Sequence, residues 1–550
     1  MSRFSPIGWL WAITLVFVVL LGGSTKAGFL SDAILQIACL PLLLLAANRI
    51  FSAHSPGRLK FAALAASLLA LPPLIQLIPL PPMAALPTHK AYGEALAMTG
   101  GAAQWIPLTL DAKATAMSAL GLIPGLAIFF GALLLGRGER RAASLVLLGI
   151  GLVSVAVGIL QVAQGSGSPL RFFPNTNLFE AVGFFANRNH FAALAYVLLL
   201  FAAVWAIHAT TASDTRRQHW SVTMIPVLGW FTVLVVLLAA QALTRSRAGL
   251  GLTILALLGA FMLAMSIRRS SGGSATSAWM LTAALLGTLM LSGQFVLFRI
   301  LERFGSDPLG DSRIAYARST MNAAKAYMPF GSGFGTFVPV FAGFENPHDV
   351  IANMYANHAH NDLLEIWLES GIMGPALALA FLLWLARMGF VAWRKTPRQI
   401  SAFDAALVHA GFMAAVLLSV HSLVDYPLRT SALMGVMAFC CALLIAPPVE
   451  DTVSFGAAEP KRRKEHLSRG EPVGRLAPHV GVTPASTVPE AASPAGMPKV
   501  AFEPKERVLW GNREGWPETW TASAGSDKPA ATKPPPSAVW DKSFPVKDGK

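Results

Sequence analysis

Apolar runs recur along the first 447 positions, separated by short polar stretches. A helix needs roughly 20 apolar residues to cross the hydrocarbon core of a bilayer. Runs of that kind lie near 7–22, 29–47, 59–80, 114–136, 142–163, 190–208, 221–241, 248–267, 277–298, 363–388, 403–422 and 431–446, about twelve in all. In lipid the backbone has no water to bond, so each run predicts a helix. Pro72 and Pro73 predict a kink or a shortening of the third. The pattern predicts an all-α polytopic membrane protein in three parts. Helices fill 1–298 (about nine), one large loop covers 299–362, and further helices fill 363–447 (about three).

Composition agrees with the pattern. The 550 residues are 54% hydrophobic and only 13% charged, with a mean hydropathy of +0.54. Such a chain lacks the polar surface of a soluble enzyme. Cys39, Cys440 and Cys441 all fall within apolar runs, where they read as packing residues and not as a disulfide scaffold. Met1-Ser2-Arg3 and the run behind it resemble a signal peptide, but no small-x-small cleavage site follows, so an uncleaved first span is expected. Residues 448–550 differ. They are rich in Pro, Ala, Gly and Ser, carry 15 basic and 13 acidic groups, and show no apolar periodicity, which predicts a disordered tail.

The net charge of +14 and the sequence pI near 10 would suit a nucleic-acid binder. The basic residues instead form short clusters between apolar runs, which predicts no nucleic-acid partner. With the N-terminus placed inside, the inner loops hold 15 Lys and Arg against 8 in the short outer loops. The positive-inside rule then predicts both termini in the cytoplasm and the 299–362 loop outside.

That bias makes the outer arginines conspicuous. Arg188 lies in Asn187-Arg188-Asn189-His190 at the start of the sixth run. Arg245 and Arg247 open the eighth, and Arg429 follows Asp425-Tyr426-Pro427-Leu428. A guanidinium fork suits phosphate, so convergent arginines would suit a pyrophosphate; snorkelling to headgroups, or pairing of Arg429 with Asp425, is the plainer account. The large loop contains Arg313 and then Gly331-Ser332-Gly333-Phe334-Gly335, which fits either a ligand approach or a tight turn.

The densest polar cluster is His358-Ala359-His360-Asn361-Asp362, continuing through Glu365 and Glu369. Helical spacing puts His360, Leu364, Trp367 and Gly371 on one stripe, with Asp362, Glu365 and Glu369 on the next. Glu365 and Glu369 lie inside an apolar run, where ionisable groups face a cavity or a partner. A histidine here can take a proton from a hydroxyl while a carboxylate or amide orients it. His358-x-His360, with His348 and Asp349, also offers metal ligands. No second regularly spaced pair follows, so neither a metal nor a cofactor is expected.

Five stretches together resemble the O-antigen ligase and O-antigen polymerase superfamily of bacterial inner-membrane proteins. They are Gly183 to Ala192, Ser246-Arg247-Ala248-Gly249, Asp311-Ser312-Arg313 through Thr336-Phe337, His360-Asn361-Asp362 through Gly374, and His421 to Arg429. The resemblance covers roughly 183–446; the tail is not part of it. It implies a metal-independent, inverting glycosyl transfer on the periplasmic side of the inner membrane. The donor would be a glycan on undecaprenyl pyrophosphate, and the acceptor a sugar hydroxyl on lipid A core or on another lipid-linked glycan. Carried onto this chain, His360 is the candidate base, with His358 as the other possibility. Arg247, Arg188 and Arg313 would hold the pyrophosphate. Asn361 and Glu365 would position the base or the acceptor, and Arg245, Arg429, Asn187 and Asn189 complete the candidate binding set. A transporter of a lipid-linked or anionic polysaccharide precursor is the alternative, but it would require two repeated halves that the sequence does not display.

Overall fold

The computed structural model describes residues 4–26, 28, 30–81, 86–101, 104–173, 177–214, 220–271, 286–287, 290, 309–350, 355–394 and 401–448. Apart from 286–287 and 290, the expected ninth span at 277–298 lies outside the described residues, as does the tail from 449 onward.

The chain is mostly helical and multi-pass. Among the described residues nine helical segments are long and apolar enough to cross a membrane, at Leu30–Ile50, Gly57–Gln76, Ala112–Leu134, Arg137–Gln164, Arg188–Ala209, Ile225–Thr244, Arg247–Met265, Met373–Arg394 and Ala402–His421. Two shorter apolar helices, Pro6–Leu21 and Ser431–Leu443, fall at the expected first and last runs. The helices are α1 (Pro6–Leu21), α2 (Leu30–Ile50), α3 (Gly57–Ser67), α4 (Leu71–Gln76), α5 (Pro87–Thr99), α6 (Ala112–Leu120), α7 (Ile123–Leu134), α8 (Arg137–Gln164), α9 (Arg188–Asp214), α10 (Trp220–Thr244) and α11 (Arg247–Ser271). They continue as α12 (Leu309–Ala326), α13 (Phe337–Ala342), α14 (Asp362–Ser370), α15 (Met373–Arg394), α16 (Ala402–His421) and α17 (Ser431–Leu443).

The structure revises several expected boundaries. The third run is α3, a 3-10 turn at Leu68–Ala70, and α4, with Pro72 and Pro73 inside the first turn of α4, where proline costs little. The fourth is split into α6 and α7 around Gly121. The tenth does not begin at 363. Gly371, at φ +59°, ends α14, and the span itself begins at Met373. An unexpected helix, α5, fills the loop between the third and fourth runs. Pro79–Leu80 and Ile106–Pro107 pair as a minimal antiparallel ribbon, the one departure from an all-α fold among the described residues.

Helix α9 runs through the centre, and 94% of its apolar window is buried. It packs against α10, α11 and α16. By contrast Leu30, Leu44 and Phe61 on α2 and α3, and Leu383 and Phe390 on α15, are exposed. Soluble proteins rarely expose apolar surface on that scale, and a bilayer would cover it. The two ends of the bundle are closed by different means. At one end Arg141 forks onto Asp404 with two 2.7 Å contacts, and the buried Arg140 caps the carbonyls of Leu135 and Ile445. At the other, four loops hydrogen-bond to one another. Ala432 N–H donates to Gly22 O, Ala186 N–H to Gly23 O, and Asp362 N–H to Ser422 O. Residues 355–362 join them as His358 Nε2 meets Thr25 O at 3.0 Å.

Above this end sits a small second core. Tyr316, Ala323 and Ala324 of α12, Phe337, Val340 and Phe341 of α13, Ala356 and Ala359 of the loop before α14, and Leu368 of α14 bury one another. The glycine loop locks this core to the bundle. Ser332 and Gly333 donate N–H groups to Leu368 O and Glu369 O, both at 2.9 Å. Gln76 of α4 donates to Phe330 O and Glu369 O and accepts from Phe334 N–H. Gly331, Gly333 and Gly335 have φ of +79°, +112° and +78°, and a Cβ on Gly333 would collide with Thr109. What these glycines approach closely is the protein itself, so the loop is a tight structural turn.

Candidate active site

His360 lies at the loop end of the bundle, one residue before Asn361, which N-caps α14. It therefore stands outside the helix, and the expected stripe of His360 with Leu364 and Trp367 does not form. Its φ of +51° is in the left-handed region, which β-carbon sterics disfavour and which clusters at functional sites. Its Nδ1 meets Asp425 Oδ1 at 3.1 Å. Among the described residues Nε2 has no hydrogen-bond partner, and the side chain keeps 24% of its exposure.

Asp425 is fully buried and is the hub of the cluster. It also accepts from Asn189 Nδ2 and from the Tyr426 N–H. Burial works against its charge, but the His360 hydrogen bond and the nearby His190 and His421 hold it well below the usual carboxylate range. An ionised Asp425 accepts from Nδ1–H of His360, which leaves a lone pair on Nε2.

Tyr426 fills the space behind. Its ring lies 5.0 Å from that of His360, 4.2 Å from that of His358 and 4.8 Å from that of His190. Its hydroxyl accepts from Asn187 at 3.4 Å and Asn357 at 3.3 Å. Burial and the charge of Asp425 raise its pKa, so it stays neutral. His190 is fully buried with neither ring nitrogen hydrogen-bonded among the described residues, and His421 reaches Tyr196 Oη at 3.2 Å. On the other side Tyr316 of α12 stacks on His360 at 6.3 Å and 21°. Arg313 is exposed, three residues before Tyr316 on the same helical face, and its charge reaches His421.

A second cluster lies beside the first. Arg429 meets Glu365 at 3.2 Å, Glu369 at 2.8 Å and Asp362 at 3.4 Å. Glu365 also accepts from the Ala359 N–H at 2.8 Å and meets His358 Nδ1 at 2.6 Å. Both nitrogens of His358 thus face acceptors, which only the imidazolium satisfies. Burial lowers the His358 pKa, but the charge and hydrogen bond of Glu365 outweigh it and the net shift is upward. For Glu365, burial is overcome by Arg429 and His358, which hold it down at about 2. Asp362 has the weakest support, and burial pushes it up to about 7 despite Arg429.

The candidate residues therefore separate. His360, Asn187, Asn189 and Arg313 converge. Glu365, expected to position His360, instead holds His358 and the loop before it. Arg429, expected either at a phosphate or with Asp425, is committed to three carboxylates. Asn361 caps α14 through Leu364 N–H and ties it to Leu423 O. Arg188 pairs with Glu180 at 2.7 Å. Arg247 opens α11 and Arg245 precedes it at φ +52°. This turn adjoins the 181–190 loop, since Ala181 N–H donates to Leu243 O and Gly249 packs against Ala192. Among the described residues no three His, Cys, Asp or Glu side chains are grouped to hold a metal ion.

Sequence reading missed Asp425 as the partner of His360, and missed Tyr426, Asn357, His190 and His421. A faint signal was present, because Asp425 and His421 interrupt the apolar end of a span.

These features define a multi-pass membrane protein with a histidine–carboxylate site at one end of its helical bundle. Residues 232–379 match the family model described as O-antigen ligase, and this match supports the O-antigen ligase superfamily. It supports a membrane enzyme of the ligase or glycosyltransferase type. The matched stretch contains Arg247, Arg313, His358 and His360, while Asp425 and Arg429 lie beyond it. No curated protein matches the chain.

Proposed function

We propose that the protein transfers a glycan from undecaprenyl pyrophosphate to a sugar hydroxyl, as an O-antigen ligase or a polysaccharide polymerase, with inversion and without a metal. The observation that carries this reading is the hydrogen bond from His360 Nδ1 to the buried Asp425, which leaves Nε2 as an open acceptor. In the proposed step Nε2 takes the acceptor's hydroxyl proton and the oxygen bonds to the anomeric carbon. The bond from that carbon to pyrophosphate breaks, and the pyrophosphate leaves with the electron pair. Asp425 stabilises the imidazolium that forms. Arg313, Arg247, Arg245 and Arg188 hold the departing charge, an electrostatic role. Asn187 and Asn189 act through Tyr426 and Asp425. Arg429 and Glu365 are positioning residues that fix the loop carrying His360.

His360 is favoured over His358 as the base because both nitrogens of His358 are engaged. The charge bias of the loops supports cytoplasmic termini and a site on the periplasmic face of the inner membrane.

The test is His360→Ala at wild-type expression, with gel analysis of lipopolysaccharide and exopolysaccharide. Loss of attachment with free lipid-linked polymer is expected of a ligase, and single-repeat products of a polymerase. An unchanged profile would falsify the assignment of the base.

A further inference from the structure

A cleft of about 360 Å³ opens between α5 and the far end of α12. Lys90, Ala91 and Glu94 line one wall. They lie at i, i+1 and i+4 on the exposed side of α5. Tyr327 and Phe344 form the other wall, their rings edge to face at 6.3 Å and 67°. The size is that of a small-molecule site.

The chemistry of the walls selects a ligand class. Lys90 and Glu94 form an exposed pair at 3.9 Å, so the cleft carries no net charge from them. An exposed pair of this kind contributes little stability, and both groups can turn toward a ligand at small cost. The facing rings offer apolar, polarisable surface, and the Tyr327 hydroxyl adds a polar rim. A pyranose has the complementary form: an apolar C–H face for a ring, and a border of hydroxyls for a cation and a carboxylate. A phosphate or pyrophosphate would find no surplus of positive charge from this pair.

The cleft is also tied rigidly to His360. Tyr327 and Phe344 pack on the same small core as Tyr316, the ring that stacks on His360. Tyr327 follows Tyr316 by eleven positions, so helical rise puts the two about 16 Å apart along the α12 axis. A short oligosaccharide bridges such a distance.

We propose that the cleft of Lys90, Glu94, Tyr327 and Phe344 is a binding subsite for the neutral part of a glycan chain whose reacting end lies at His360. The inference rests on the transferase reading and adds where the rest of the glycan is gripped.

The experiment uses the full chain in nanodiscs. The probe is the size-fractionated neutral oligosaccharides hydrolysed from the host cell's own surface polysaccharide, titrated by saturation-transfer NMR. Tyr327→Ala and Phe344→Ala are expected to weaken binding about tenfold each. Ala91→Trp fills the cleft from the exposed face of α5 without touching the small core, and is expected to abolish binding. Tyr327→Phe keeps the ring and is expected to bind nearly as wild type, while unchanged thermal unfolding of Ala91→Trp shows that the fold is kept. The subsite is overturned if the wild-type protein binds none of the oligosaccharides, or if Ala91→Trp and Tyr327→Ala bind them unchanged. If binding follows the expected pattern but no glycan is transferred by the wild-type protein, the transferase reading fails and the subsite stands.

Discussion

At the scale of single residues, the chemistry depends on which histidine nitrogen is left open. His358 and His360 are two positions apart, yet one is saturated by Glu365 and Thr25 and the other is held on one side only. Asp425→Asn should leave the fold intact, because the amide keeps the volume and one acceptor. It should nevertheless lower transfer by about 10²–10⁴-fold, since the amide can impose the wrong tautomer on His360 and cannot stabilise its cation. Initial rates on equal amounts of folded protein measure this; a loss under tenfold would argue against the dyad. The histidines were legible in the sequence as a polar cluster beside an apolar run. Their carboxylate was not, because Asp425 lies 65 positions away and no spacing rule joins it to His360. Glu365 was nearer in sequence and chemically plausible, but the turn of α14 directs it at Arg429 and His358.

At the scale of elements, α14 is the piece that other parts grip. Arg429, which follows α16, pairs with its three carboxylates. Replacing it with Met leaves Glu369 buried without a cation and Glu365 with His358 alone, and should destabilise the protein by about 3–5 kcal/mol, read from thermal or denaturant unfolding in detergent. Gln76 holds the other end. Gln76→Ala removes the side-chain donor from Phe330 O, one of the two donors on Glu369 O and the acceptor of the Phe334 N–H, with an expected cost of about 1–3 kcal/mol and increased protease sensitivity of the 327–336 loop. Asp362 gives a pH signature. Its folded pKa is raised from 3.8 to about 7 by burial, so between these values the folded state holds a proton that the unfolded state has lost. Its contribution to stability therefore falls as pH rises from about 4 to 7 and is flat above. In Asp362→Asn this part of the fall in Tm should disappear; an unaltered Tm-against-pH slope would contradict the buried, poorly supported carboxyl. The sequence foretold that Glu365 and Glu369 would need partners at their depth. It misjudged where α14 ends, because the apolar pattern continues smoothly across Gly371 while the backbone there turns to positive φ.

At the scale of the whole molecule, the described members of both clusters lie between residues 187 and 429. A chain truncated after Pro447 should insert in the membrane and yield the same glycan products as the full chain, measured by gel at matched expression; loss of product would give the tail an essential role. Hydrophobic periodicity by itself determined that this is a helical multi-pass protein, since a run of some twenty apolar residues has few other stable forms and the signal is local. The same was true of the polar motif at 358–369, whose residues sit where lipid would exclude them. The helix breaks at Gly121 and Gly371, the pairing of Arg429 with α14, and the meeting of His360 with Asp425 were decided only by tertiary structure. The two pairings depend on how the loops beside α9, α14 and α16 meet at one end of the bundle, where His360 lies 65 positions and Asn189 lies 236 positions from Asp425. Local sequence carries the free energy of entering the membrane; which buried charge finds which partner is settled only when the helices close around them.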